Sequence, residues 1–222
     1  MNHLSTEGII LTRIDYGEAD RILTLLTPDH GKLRVIAKGV RRVKSKLAGG
    51  IELFSVSQLT FIKGRGDIGT LTSTRLIRHY DGIVRDLDRT MLGYELIKKL
   101  DKTTEEGVEQ GFFDLLQQTL MALNDQKMPL NIVRLWFAVR MLDLTGRSLE
   151  LQVDDRGERL RARGQFTFNP ERMAFRQSNT GPYTSDHIKI LRLARTYSPL
   201  VLAQVYGSDT LIENALRLLD QH

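Results

Sequence analysis

The sequence predicts an α+β protein in two parts: a small β-barrel or sandwich over residues 1–81, then an α-helical domain over residues 82–222. Three observations carry this expectation. Five short runs rich in leucine and β-branched residues occupy the first eighty positions, with no long helical stretch between them. From about residue 82 the apolar residues recur at helical spacing. The 222 residues include no cysteine, so disulfides, thiol chemistry and Cys-ligated zinc or iron–sulfur sites are excluded.

The strands come in order. "GIILTRIDY" and "DRILTLLT" are bounded by turn signals, and "PDHG" at 28–31 joins the second to "KLRVIAKG" as a hairpin. "SVSQLTFIK" and "IGTLTSTRLI" form another pair across "GRGD". The loop between the third and fourth strands, about 39–53, is the longest break. In the second part, "GIVRDLDRTMLGYELIKKLDK" places Ile83, Leu87, Met91, Leu92, Leu96 and Leu100 at helical spacing. "GFFDLLQQTLMALND" and "PLNIVRLWFAVRMLDLTG" follow, the latter opened by Pro129 and closed by Gly146. Residues 149–182 are polar and read as an irregular hairpin. "TSDHIKILRLARTY" and "SDTLIENALRLLDQ" then close the chain as two capped helices.

Charge is unevenly spread. Residues 1–80 carry 13 Lys/Arg against seven Asp/Glu, while the remainder holds 19 against 20, so the formal excess of +5 lies wholly in the first third. Such an excess attracts nucleic acid or an anionic membrane, or simply keeps a domain soluble. No apolar run approaches the roughly 18 residues that span a bilayer, and the N-terminus has no signal-peptide pattern, so an intracellular protein is expected.

Catalytic signatures are missing. Gly64-Arg65-Gly66-Asp67-Ile68-Gly69 has the form G-x-G-x-x-G, but the strand-like "TLTSTRLI" follows where a dinucleotide site needs a helix, so it reads as a hairpin turn. His3, His30, His79, His187 and His222 are scattered, and Asp154, Asp155 and Glu158 read as a solvated turn with Arg156 and Arg159. No nucleophile–base pair or clustered carboxylates suggest an enzyme.

The basic stretch "AKGVRRVKSKLAGG" is more informative. The two-residue period of the third strand places Lys32, Arg34 and Lys38 on one face and Leu33, Val35 and Ala37 on the other. That face runs on into Arg41, Arg42, Lys44 and Lys46, with Lys63 and Arg65 at the next hairpin turn extending it. A small barrel with a basic loop suits a phosphate backbone, as OB-folds show. Tyr16, Phe54, Phe61 and Tyr80 are the candidate aromatic platforms, with Phe54 and Phe61 better placed in the core. In the second part, Arg134, Trp136, Phe137 and Arg140 share one helix. Either the aromatics face the core, or this face receives an acidic, apolar peptide held by Arg134 and Arg140.

As a whole the sequence resembles the RecO family of bacterial recombination mediators. "YGEADRI", "HGKLRVIAKGVRR" and "LAGGIELFS" carry the likeness most specifically; "FNPE" after residue 167 and "LTG" at 144–146 carry it more loosely. The resemblance implies an N-terminal five-stranded OB-fold barrel followed by an α-helical domain with a zinc-ribbon-like insertion. Many members hold zinc there with four cysteines, which fall near Val153, Arg156, Gln177 and Thr180, so a degenerate, zinc-free insertion at about 149–182 and no cofactor are expected. It also implies a non-enzymatic protein of the bacterial nucleoid that binds single- and double-stranded DNA and anneals strands. The implied partners are a RecR-like protein, the tail of the single-stranded DNA-binding protein and, indirectly, RecA. Arg140 is the matching position for tail binding. The alternative reading is an interaction adaptor whose helical domain docks partners while DNA contact is secondary.

Overall fold

The computed structural model of the chain describes residues 3–63, 68–107, 110–205 and 209–220. Arg65 and the G-x-G-x-x-G turn at 64–67, the cap residue Ser208 and His222 lie outside the described residues. The chain divides into two compact units, Met1–Asn124 and Asp125–His222.

In the first unit, β1 (His3–Tyr16), β2 (Asp20–Thr27), β3 (Gly31–Ala37), β4 (Ser55–Ile62) and β5 (Ile68–His79) form one mixed sheet in the order β1-β2-β3-β5-β4, with β4 pairing back to β1. The long β1 serves two partners, residues 9–16 pairing with β2 and residues 3–9 with β4. A register shift between Ile10 and Thr12 bends it between the two. Four pairings are antiparallel. The β3–β5 joint is parallel and three residue pairs long, from Arg34↔Ile68 to Ile36↔Thr70.

Ile10, Leu23, Leu25, Val35, Leu59, Phe61 and Leu71 fill the interior of this sheet. Successive residues of β2 from Leu23 to Thr27 are all buried, because its outer face is covered as well: α3 packs against it. Three helices follow the sheet in this unit: α1 (Asp81–Val84), α2 (Leu87–Thr103) and α3 (Phe112–Asn124). Asp86 caps α2 by accepting from the Arg89 amide at 3.0 Å, and the buried Arg89 donates to the Leu123 carbonyl at 3.1 Å, tying α2 to the end of α3. Phe54 fastens α2 to the sheet. It is buried at φ 56°, its ring meets Tyr94 edge-on at 5.1 Å, and it lies so close to Gly93 that a Cβ there would stand 2.7 Å from the ring.

The second unit is built around α4 (Leu130–Leu144). Its buried set Ile132, Val133, Leu135, Trp136, Phe137, Ala138, Val139 and Met141 covers nearly its whole circumference. Helices α5 (Ser185–Thr196), α6 (Pro199–Val205) and α7 (Asp209–Asp220) pack against it. Between α4 and α5 stand β6 (Gln165–Asn169), β7 (Ala174–Ser178) and β8 (Tyr183–Thr184), an antiparallel sheet in the order β7-β6-β8.

The expected fold, an OB-fold barrel of five strands followed by an α-helical domain with a degenerate insertion, is corrected by this architecture in the placing of its helices and in its insertion. The N-terminal sheet is mixed and depends on one short parallel joint. Helices α1–α3 form one compact unit with that sheet, because β2 and Phe54 bury apolar surface against them. The second unit is itself mixed. Its expected irregular insertion is an ordered three-stranded sheet with an aromatic core of Phe166, Phe168 and Phe175, in which Phe175 also meets Tyr183. Polar composition hid that sheet, since three aromatics on adjacent strands suffice to organise it.

Candidate nucleic-acid interface

The basic segment leaves β3 as a loop whose two ends are anchored and whose middle stands clear. At its start the Gly39 amide donates to the Asp20 carboxylate at 2.7 Å, the Arg41 amide donates to the Ala19 carbonyl at 2.9 Å, and the Val40 side chain is buried in the sheet interior. At its end Leu47, Ala48 and Ile51 pack on the same interior, and the Thr74 hydroxyl of β5 donates to the Leu47 carbonyl at 3.1 Å. Gly50 sits against Thr74 so tightly that a Cβ would come within 2.4 Å of it. Arg13 of β1 closes the anchor by pairing with Glu52 at 2.9 Å. Between these ends Arg42, Val43, Lys44 and Lys46 are exposed.

The alternation expected for β3 is present: Val35 and Ala37 are buried, Lys32 and Arg34 half-buried on the other side and Lys38 exposed. The structure nevertheless divides the candidate residues. Lys32 is occupied. Its ammonium pairs with Asp101 at 2.8 Å and donates to the carbonyls of Asp101 and Thr104, and its side chain is only 14% exposed. Arg34 pairs with Glu106 at 2.5 Å. With Lys63 these residues rim a cavity of about 270 Å³, floored by Leu33 and Phe61, at the end of β3 where the strand begins. The loop cations lie at the other end of β3, so Lys63 does not extend their patch.

Within the loop, Arg41 approaches Asp15 at 3.5 Å. Asp15 is held mainly by a 2.8 Å hydrogen bond from Arg21, which, with help from Arg41, keeps its carboxyl below the usual carboxylate range. Among the described residues Lys38, Arg42, Lys44 and Lys46 have no carboxylate partner. Within the loop these four are the cations that no carboxylate engages.

Two exposed cations of β5 were not part of the sequence-based set. Arg75 and Arg78 are exposed on β5, one and four residues beyond Thr74, the strand residue that anchors the loop. Only the β4–β5 register, Gln58↔Arg75 and Val56↔Arg78, reveals how far β5 carries them. Among the aromatic candidates Phe54, Phe61 and Tyr80 are buried, whereas Tyr16 is 55% exposed. Tyr16 precedes Gly17, whose carbonyl lies 3.5 Å from the Arg41 guanidinium, so it stands beside the root of the loop.

The second candidate site resolves differently. Trp136 and Phe137 are core residues of α4, and the Trp136 indole N–H donates to the Tyr197 carbonyl at 2.8 Å. Arg134 is half-buried. Arg140, 38% exposed at its side chain, donates to the Arg195 carbonyl at 3.0 Å and stands 3.8 Å from Asp143, which Arg195 also approaches at 3.3 Å. The aromatics expected to wall a peptide groove are therefore turned inward.

The residues near the expected cysteine positions, Val153, Arg156, Gln177 and Thr180, do not fit zinc. They offer no thiolate or imidazole, and the neighbouring Asp155 carboxylate accepts hydrogen bonds from Arg176 and Asn169. Among the described residues no group of three or more His, Cys, Asp or Glu side chains is placed to hold a metal ion, and no helix is long and apolar enough to cross a membrane.

Residues 1–80 match the family described as "Recombination protein O N terminal" and residues 84–222 match "Recombination protein O C terminal". The chain is 33% identical over 146 residues to the DNA repair protein RecO of Halalkalibacterium halodurans, covering 65% of this chain and 57% of that protein. It is 32% identical over 195 residues to the protein of the same name from Dehalococcoides mccartyi, covering 84% and 76%. With that of Roseiflexus sp. the identity is 37% over 151 residues, covering 68% of this chain and 48% of the relative. The chain thus spans about half the length of the first and third of these relatives.

Proposed function

Because the chain belongs to the Recombination protein O family, we propose that it is a non-enzymatic mediator of DNA repair and homologous recombination that binds DNA through the loop between β3 and β4. One observation carries this reading: Lys38, Arg42, Lys44 and Lys46 are exposed on a loop anchored at both ends and have no carboxylate partner among the described residues.

Cations held in this way neutralise phosphates of one strand and release their counterions. They also reduce the repulsion that keeps two complementary strands apart, which is the physical requirement for annealing. Phosphates are the same in every sequence, so the loop reads charge, and it serves single- and double-stranded DNA alike. Arg41, at the root of the loop, adds to the four cations. Tyr16 supplies one stacking surface for an unpaired base. Lys32 and Arg34, already paired with Asp101 and Glu106, contribute to the fold and to the local potential rather than to direct contact.

The proposed partners are a RecR-like protein, the acidic tail of the single-stranded DNA-binding protein and, through them, RecA, with the protein acting at the bacterial nucleoid. For the tail, Arg140 and Arg134 of α4 are the proposed anchors.

The test is an annealing and binding assay with complementary oligonucleotides across a salt series, with and without single-stranded DNA-binding protein. Annealing that accelerates with the protein and weakens steeply with salt is expected. Binding that ignores salt would sink the reading.

A further inference from the structure

A second concentration of positive charge lies in the unit that the DNA loop does not belong to. A cleft of about 450 Å³ is lined by Arg159 and Arg161 from the segment before β6, and by Ser185, Ile188, Lys189 and Arg192 from α5. Four of its lining side chains are cationic and none is acidic. Arg159 and Arg161 are exposed and have no carboxylate partner among the described residues. Arg192 is oriented by donating from Nε to the Leu151 carbonyl at 2.8 Å, a bond its Nη2 shares. Lys189 pairs with Asp186 at 2.8 Å, the one acidic residue of the first turn of α5. Ser185 opens that helix, so its hydroxyl and the positive end of a twelve-residue helix share the same wall. Leu160, half-buried, supplies apolar surface beside the charges.

Size and charge select the ligand. A cleft of this volume is in the range that encloses one small molecule rather than a passing polymer. An internal phosphodiester carries one charge, whereas a terminal phosphate monoester carries about 1.5–2 at pH 7 and presents three acceptor oxygens. The two unpaired guanidinium groups of the lining suit the monoester, because a planar fork can donate two parallel hydrogen bonds. The apolar wall suits the sugar and base attached to it.

We propose that this cleft is a binding site for a nucleotide bearing a terminal phosphate, either a free mononucleotide or the 5′-phosphorylated end of a DNA strand. The inference deepens the DNA-mediator reading and rests on it for the strand-end source. Arg159 and Arg161 hold the phosphate, Lys189 and the start of α5 add positive potential, and Leu160 packs against the nucleoside.

The experiment uses the full chain carrying Arg42→Ala and Lys44→Ala, so that loop binding does not mask the cleft. Two labelled ten-nucleotide strands of the same sequence are compared by anisotropy, one ending in a 5′-phosphate and one in a 5′-hydroxyl, and thymidine monophosphate is titrated by calorimetry. The phosphorylated strand is expected to bind about tenfold tighter, the size of one charge-assisted hydrogen bond. Adding Arg159→Gln with Arg161→Gln is expected to remove that difference; both residues are exposed, so the fold is retained. Heat with thymidine monophosphate identifies a free nucleotide as sufficient; a preference between strands without such heat identifies the strand end. Equal binding of the two strands with no heat from the nucleotide overturns the proposal. So does an equal loss for both strands in the arginine variant, or heat from an acidic peptide where the nucleotide gives none. Failure of the loop reading shows separately, as unchanged affinity on introducing Arg42→Ala and Lys44→Ala.

Discussion

Arg176 of β7 grips Asp155 from both Nε, at 2.8 Å, and Nη2, and so joins the turn before β6 to the sheet that follows it. Asn169 donates to the same carboxylate at 3.1 Å, and Arg172 donates to the Asp155 carbonyl at 3.0 Å. The side-chain bonds from Arg176 first and then Asn169 draw the Asp155 carboxyl down to about 2 from its ordinary 3.8. A carboxyl lowered on folding contributes stability that is present above its unfolded value and is lost as pH falls through the folded one. The β6–β7 sheet is therefore expected to loosen between about pH 4 and pH 2, as read by hydrogen exchange of residues 165–178. Asp155→Asn should flatten that pH dependence, and Arg176→Ala should lower the melting temperature of the second unit. An unchanged acid profile in Asp155→Asn would show that another carboxylate governs it.

The free and the occupied cations separate by mutation. Arg42→Ala with Lys44→Ala should reduce the salt slope for single-stranded DNA by about 1.4, at about 0.7 per phosphate contact, across all sequences alike. Lys32→Ala should leave that slope nearly unchanged while costing about 1–3 kcal/mol of stability, because Asp101 and two carbonyls lose a partly buried donor. Binding isotherms over a salt series, together with urea denaturation, measure both.

Tyr16→Ala should weaken single-stranded binding by about 1–3 kcal/mol, the range for one base stacked on an aromatic ring. Duplex affinity should hold, since paired bases present no free face, and the salt slope should stay the same. An equal loss on both forms of DNA would mean that Tyr16 supports the loop instead of stacking.

The loop's anchors are separable from its charge. Ile51 is buried beneath the returning chain, and Ile51→Ala is expected to cost about 2–5 kcal/mol of stability. Gly50→Ala drives a methyl group onto Thr74 and should release the loop locally. Either change should lower DNA affinity with every cation retained, because the freed loop must be ordered on binding. Anisotropy at fixed salt provides the check.

Arg140→Glu should abolish binding of an acidic, Phe-ending peptide if the tail docks on α4. The same change places a carboxylate beside Asp143, so thermal melting is read alongside. Peptide binding that survives in a folded variant removes Arg140 as the anchor.

Much of this protein was legible in local pattern. The five strands, the switch to helical spacing, the end of α4 at Gly146 and the exposed cations of residues 38–46 all follow from side-chain periodicity and turn chemistry, which act over a few residues. The likeness to the family was legible in the same phrases, from "YGEADRI" to "LAGGIELFS". Tertiary structure decided which charges remain available. Lys32 and Arg34 share a strand face with Lys38 in any reading of the sequence, yet they are taken up by Asp101 and Glu106, some seventy residues away along the chain. Asp155 becomes a sheet tie only because Arg176 returns to it. Periodicity assigns a residue to a face. Whether its charge is neutralised there depends on partners that folding alone brings within hydrogen-bond distance.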